Sequence, residues 1–392
     1  MTVGTTIAPE AAQLIEAAHH LGPAITSMRD EFDRERRLPT SLVETLRDLG
    51  FFSLCLARAF GGPELSLTDF IRVVEALGRL DGSVAWCVTN GAACTWFSGF
   101  LPGDFAHQVF VEERAVVAGN LGTIGKAVQV SGGYRVTGRW AYASGILHSG
   151  WTAAGCVVLD GDAPRLGADG AAETRTVFFP TAMAEVIDTW HVGGLRGTGS
   201  NDYRVADLFV PLSHTMTFSE PPRLSGPLYA LPRHTFLAAT IAAVPLGIAR
   251  AALDAFRDLS AGKIPRIGSA LLCDRPVIQT AIGRAEAQLR AARAFLFEAC
   301  DEAWSATSTG VALTLEQRAT VRLACAQVAE TAKAVVQGVY DAGGGTSVYE
   351  SCPLQRCFRD VHTASQHVQV QSVNFETGGR VMLGLEPGTP VL

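Results

Sequence analysis

Two stretches of the chain carry side chains that could do chemistry together. Near the C-terminus runs Leu354-Gln355-Arg356-Cys357-Phe358-Arg359-Asp360-Val361-His362-Thr363-Ala364-Ser365-Gln366-His367. Steps of three, four and four separate Arg356, Arg359, Thr363 and His367, so one continuous helix would put them on a single face. An imidazole there could act as a base or as a substrate anchor near neutral pH. In the middle of the chain, Gly138-Arg139-Trp140-Ala141-Tyr142-Ala143-Ser144-Gly145 reads as a strand that ends on a small hydroxyl. Ser144 could meet the polar edge of a ligand, and His148 could line the same cavity. Metal chemistry finds no support. The nine cysteines are scattered, with no CxxC pair and no histidine at zinc-finger spacing. They read as buried, reduced thiols in a cytoplasmic protein.

The elements that must position these residues change character along the chain. Residues 1–113 read as helical: Ala11, Leu14, Ile15 and Ala18 recur at helical spacing, as do Leu42, Leu46 and Leu49. Gly82 to Phe97 is apolar on every side and reads as a buried helix. Over 114–222 short alternating or β-branched runs take over, with Gly132-Gly133 as a hairpin turn, and the spacing suits a small β-barrel. From 223 to 392 helices return at roughly 231–260, 275–306, 314–342 and 353–373. Thr314 and Gln317 make a capping box, and four such helices make a bundle.

Composition closes several alternatives. A net charge of −6 and few lysines argue against a nucleic-acid binder. No run of about 20 apolar residues predicts a membrane span, and Met1 to Ala12 lacks the pattern of a signal peptide. GxGxxG after a strand and GxxxxGK[ST] are both absent, so neither a nicotinamide site nor a P-loop is expected. Low charge with many Ala and Gly suggests surface covered by further subunits.

The order of helical domain, barrel and bundle resembles the α+β fold of the acyl-CoA dehydrogenase superfamily. The resemblance rests on Gly61-Gly62-Pro63-Glu64, on Trp140 to Gly145, on Gly194-Leu195-Arg196-Gly197-Thr198-Gly199-Ser200, and on Gln337 through Gly345 followed by Leu354 to Asp360. The final motif is more similar to the two-component flavin monooxygenases than to the dehydrogenases. That branch implies reduced FMN or FAD delivered by a separate NAD(P)H:flavin reductase. It further implies a flavin C4a-hydroperoxide that hydroxylates or N-oxidises a small organic substrate, and a homotetramer. By the same resemblance Ser144 and His367 are the catalytic pair. Trp140, Ser144, Thr198, Ser200, Arg266 and Gly344 hold the flavin, and His148 and Arg359 face the substrate. For single residues a plainer reading stays open: Trp140 could fill the core, and Arg356 and Arg359 could pair with Asp360 or another carboxylate. A further histidine common in the N-terminal helix of the branch is missing from Trp86 to Trp96, which leaves amine and sulfur oxidation open. The rival expectation is a dehydrogenase in which Glu376 takes a substrate proton.

Overall fold

The computed structural model describes residues 7–167, 170–266, 268–389 and 392. Five helices lead: α1 (Pro9–Glu35), α2 (Thr40–Asp48), α3 (Leu67–Leu80), α4 (Gly82–Cys94) and α5 (Gly103–His107). Side-chain caps set two of their starts, where the first backbone N–H groups lack helical partners. Ser66 accepts from Asp69 N at 3.2 Å to open α3. Asp81 accepts from Ser83 N at 2.9 Å and Val84 N at 3.2 Å to open α4. Residues Gly82 through Val88 of α4 are all buried, as an all-apolar sequence demands. The helix ends at Cys94 and a tighter 3-10 turn carries the chain to Gly99, short of the single helix expected to Phe97.

The middle region is one mixed sheet of β1 (Val117–Val130), β2 (Gly133–Ala143), β3 (Trp151–Asp160), β4 (Ala163–Pro164), β5 (Thr174–Pro180), β6 (Glu185–Ile187), β7 (Asn201–Pro211) and β8 (Thr215–Met216). Its order is β6-β7-β2-β1-β3-β5-β8, with β4 beside β3. Among the described residues only β1 and β3 pair in parallel. The sheet wraps far enough for Phe179 of β5 and Tyr203 of β7 to meet at 6.5 Å. It therefore has the barrel's enclosed core, built on Trp140, Tyr134, Tyr203 and Phe179, but β6 and β8 are not paired with each other among the described residues.

Beyond the sheet come α6 (Pro227–Ala230), α7 (Arg233–Gly262), α8 (Pro276–Ser308), α9 (Leu315–Gly343), α10 (Pro353–Ala364) and α11 (Val373–Met382). By length and composition α7 could cross a bilayer, but 83% of its most apolar window is buried inside the fold. The capping box of Thr314 and Gln317 starts α9. One expectation fails here. The final helix does not run to 373: it stops at Ala364, where Ser365 turns its N–H and hydroxyl back onto Val361 O. His367 therefore lies in the turn beyond α10 and does not share a helix face with Arg356 and Arg359.

Two glycines let α3 and α7 touch backbone to backbone. A Cβ on Gly247 would stand 2.5 Å from Glu75 O and 2.7 Å from Gly78 Cα. Because neither partner is a side-chain tip, Gly247→Ala must push the helices apart. We expect it to cost about 1–3 kcal/mol in a denaturant titration, with the far-UV spectrum of the folded state unchanged.

Candidate active site

The strand β2 does not end straight. Its register with β7 shifts between Trp140 and Ala143, Tyr142 takes a left-handed φ of 62°, and Gly145 follows at 78°. A tyrosine in that region is costly and persists only where the surroundings hold it. The bend turns the Ser144 hydroxyl away from the sheet and toward α4. There Trp86 Nε1 donates to Ser144 Oγ at 2.9 Å. Ser144 Oγ lies 2.7 Å from Ser200 Oγ, which lies 2.7 Å from Thr198 Oγ1. Thr198 spends its one hydroxyl proton on Leu195 O at 2.8 Å. With that end fixed, every contact is satisfied only if protons point one way, from indole to Ser144, Ser200, Thr198 and the carbonyl. Ser144 then has a spare lone pair and no spare proton, so it faces a ligand as an acceptor.

His367 packs against the same indole, its ring meeting Trp86 edge-on at 5.6 Å. Gln369 N donates to His367 Nδ1 at 3.3 Å, which places the ring proton on Nε2. Burial, with Arg322 nearby, pushes this histidine down to about 4. It is thus a neutral N–H donor at ordinary pH. His148 is also held down to about 4 by burial, and its Nε2 is buried without a partner. It is placed below Gly145, whose missing Cβ would come within 2.8 Å of that nitrogen.

The other residues singled out from sequence divide. Thr198 and Ser200 are buried directly behind Ser144. Trp140 is fully buried inside the sheet, stacked on Tyr203 at 5.1 Å and donating to Gly155 O, so the geometry supports its core role. Arg359 is spent on structure: it donates to Asp33, Gly193 O and Gln355. Arg356 likewise takes Asp33 and Arg29 O. Of the carboxylates open to them, Asp33 is thus the one both arginines take, while Asp360 accepts from Leu195 N at 2.6 Å and so anchors the loop that carries Thr198. Glu376 is exposed on α11, while Asn374 and Thr377 beside it are buried. Arg266 and Gly344 lie at the far end of the bundle, where Lys263 bonds Gly343 O and Thr346.

Trp86 was missed as a site residue, because in an all-apolar helix a tryptophan looks like any core residue. The bulge in β1 was missed as well. Its register against β3 shifts between Asn120 and Gly125, leaving Gly122 to Ile124 exposed beside the bent end of β2. Asn120 Nδ2 ties it there through Ala141 O at 2.8 Å.

Comparison with known proteins gives this geometry its setting. Residues 10–99 match the acyl-CoA dehydrogenase N-terminal domain and residues 239–372 its C-terminal domain. Indole-3-acetate monooxygenase of Pseudomonas putida is 31% identical over 376 residues, covering 93% of this chain and 95% of that one. The flavin-dependent monooxygenase oxygenase subunit HsaA of Mycobacterium tuberculosis is 27% identical over 97% of both chains. The structure of XiaF from Streptomyces in complex with FADH2 and glycerol is 27% identical, covers 97% of this chain and 98% of that one, and superimposes with a TM-score of 0.88. The chain belongs to the flavin-dependent monooxygenases built on the acyl-CoA dehydrogenase fold.

Proposed function

We propose that this protein is the oxygenase component of a two-component system, receiving reduced flavin from a separate NAD(P)H:flavin reductase and inserting one oxygen atom of O2 into an aromatic substrate. The observation that carries the reading is the one-way chain through Trp86, Ser144, Ser200 and Thr198, with His367 against the same indole. A reduced flavin presents N–H donors at its central ring, and the spare lone pair of Ser144 is the acceptor such a donor needs. Bound reduced flavin supplies the two electrons that activate O2, of which one atom enters the substrate and the other leaves as water.

The chain's own residues do the rest. Ser144, held by the indole of Trp86 and the hydroxyl of Ser200, offers a fixed acceptor without rearranging. Nε2 of His367 offers a hydrogen bond to the substrate and, being neutral, adds no charge to an enclosed site. Trp86 touches both and ties them to one helix. The dehydrogenase alternative needs a carboxylate at this place, and the groups touching Ser144, Trp86 and His367 are hydroxyl, indole and amide. Glu376 is exposed on α11.

The proposal extends to a homo-oligomer, up to the tetramer the resemblance implies. Thr89 beside Trp86 bonds Thr240 O, which sets the level of the site along α7. Lys263 comes 23 residues later, about 35 Å along a helix. Arg266 and Gly344 therefore suit a flavin held mainly by a second copy. Large apolar side chains stand exposed, among them Tyr142 at 70%, Tyr349 at 69% and Leu383 at 78%, and a partner would cover them.

With a reductase, NADH and flavin, the protein should convert an aromatic substrate with oxygen uptake matched to product. Ser144→Ala should raise the share of hydrogen peroxide at the expense of product. His367→Ala should cut product formation roughly a hundredfold or more while flavin oxidation continues. Normal coupling in both variants would remove these residues from the site. The pH dependence has a defined sign. His148, His234 and His367 are all held near 4 against an ordinary 6.5 by burial. Folding thus favours their neutral forms, so the stability they contribute is complete above pH 6.5 and is lost as pH falls toward 4. Denaturation midpoints should decline across that window, and turnover should not fall at 6.5 as it would with an unperturbed imidazole.

A further inference from the structure

Behind His367 the interior is crowded with hydrogen-bond donors that have no carboxylate to meet. Arg318 and Arg322 lie one turn apart on the same face of α9. Arg322 is 2% exposed, and its terminal nitrogens bond only the neutral amide oxygens of Gln369 and Asn374. The Nε atoms of both arginines are buried and have no partner. Gln369 turns its amide nitrogen to His234 Nδ1 at 3.1 Å, and Arg233 reaches His234 Nε2 at 3.0 Å. A neutral imidazole has one acceptor nitrogen, so one of these two contacts sets donor against donor. Burial pushes Arg233 and Arg322 down, and no carboxylate opposes it.

Several other arginines that are at least partly buried meet an acid. Arg72, Arg250, Arg293, Arg356 and Arg359 are all paired with aspartate or glutamate. Among the described residues Arg233, Arg318 and Arg322 have no such pair. A buried guanidinium facing only neutral groups is expensive, and an excess of donors calls for an acceptor from outside the chain. The cluster is adjacent to the site already described: Gln369, the partner of Arg322, also donates its backbone N–H to His367. On its flank, Arg233 lies over the ring of Phe218 at 4.9 Å, and Phe218 stacks on Trp96 at 5.6 Å.

We propose that Arg318 and Arg322, with Arg233 and His234 at the start of α7, form a carboxylate-binding subsite that selects an aromatic acid as the substrate of this oxygenase. The inference rests on the monooxygenase reading and deepens it. The aromatic ring of the substrate would lie toward Trp86 and His367, where oxygen is delivered, while its carboxylate takes the open Nε donors. Arg318 and Arg322 are then binding residues that set which ring enters and how it is turned.

Two neutral-and-acid pairs test this: indole-3-acetate with indole-3-acetamide, and 4-hydroxyphenylacetate with its amide, each titrated calorimetrically into the flavin-free full-length protein. At least one acid should bind, with its amide roughly ten- to a hundredfold weaker. Arg318→Gln should weaken the acid by a similar factor and leave the amide unchanged. Arg322→Gln should do the same, and the half-buried Arg318 keeps the test decisive if the fully buried variant fails to fold. Equal binding of acid and amide, binding of neither acid, or an unchanged acid affinity in Arg318→Gln would each overturn the subsite. An Arg318→Gln protein that loses its oligomeric state without any acid binding would overturn it too, assigning the cluster to a carboxylate of a neighbouring copy. Oxygenation is read separately, with reduced flavin and O2. Selective binding of an acid that is never oxygenated would retain the subsite and sink the monooxygenase reading.

Discussion

A buried indole N–H has to find an acceptor, and the position of almost every functional group here follows from where Trp86 finds its own. Helix α4 is packed into the interior, with Trp86 only 7% exposed, so water cannot serve. The acceptor is Ser144, at the end of a strand from a different part of the fold. For that hydroxyl to face α4, β2 must break its ladder and put a tyrosine into the left-handed region. The surrounding contacts hold that strain in place: Gly145 N is bonded to Thr198 O, and Thr198 is itself tied to Leu195 O. One hydrogen bond between helix and sheet thereby sets the geometry of both.

The loop behind Ser144 needs an anchor of its own, and the bundle provides it. Leu195 has a left-handed φ of 51°, and its N–H is received by Asp360 of α10. Gly194 lies so close to α10 that a Cβ would collide with Arg359 O. Burial and the neighbouring Asp81 push Asp360 up to about 7, against the pull of Arg356 and Arg359. A carboxyl group placed there at such a cost positions a loop and does no chemistry itself. The motif around Arg359 and Asp360 is thus a clamp: it joins bundle to sheet, with Asp33 of α1 as the counter-charge for the two arginines.

That distinction explains what could be read from the chain alone. Periodicity exposes the order of helices, sheet and helices, because each region must bury a face at its own repeat. Ser144 could be found because a hydroxyl beside glycine at the end of an apolar strand is out of place. His367 could be found through its motif, yet the argument from a shared helix face was wrong: whether a helix continues past Ala364 depends on Ser365 folding back onto Val361. A serine at that point permits either outcome. Trp86 and the bulge at Asn120 were not legible, since a core tryptophan and a site tryptophan have the same sequence signature. Arg322 was not singled out in the sequence, because only tertiary packing brings Asn374 of α11 and Gln369 of the turn before it onto its guanidinium.

Arg318 and Arg322 also bear on why His367 can work in a dry interior. A histidine surrounded by low-dielectric packing stays neutral by desolvation alone, and nearby guanidinium charge reinforces this. The result is a donor whose protonation does not change with ordinary shifts in pH. A carboxylate arriving at Arg318 and Arg322 would cancel part of that charge and raise the affinity of His367 for a proton. Burial and the Gln369 N–H on Nδ1 would still hold the imidazole neutral, so Nε2 would remain the donor that the substrate meets. A neutral substrate of the same shape would leave that guanidinium charge uncancelled, so selection would act through the arginines.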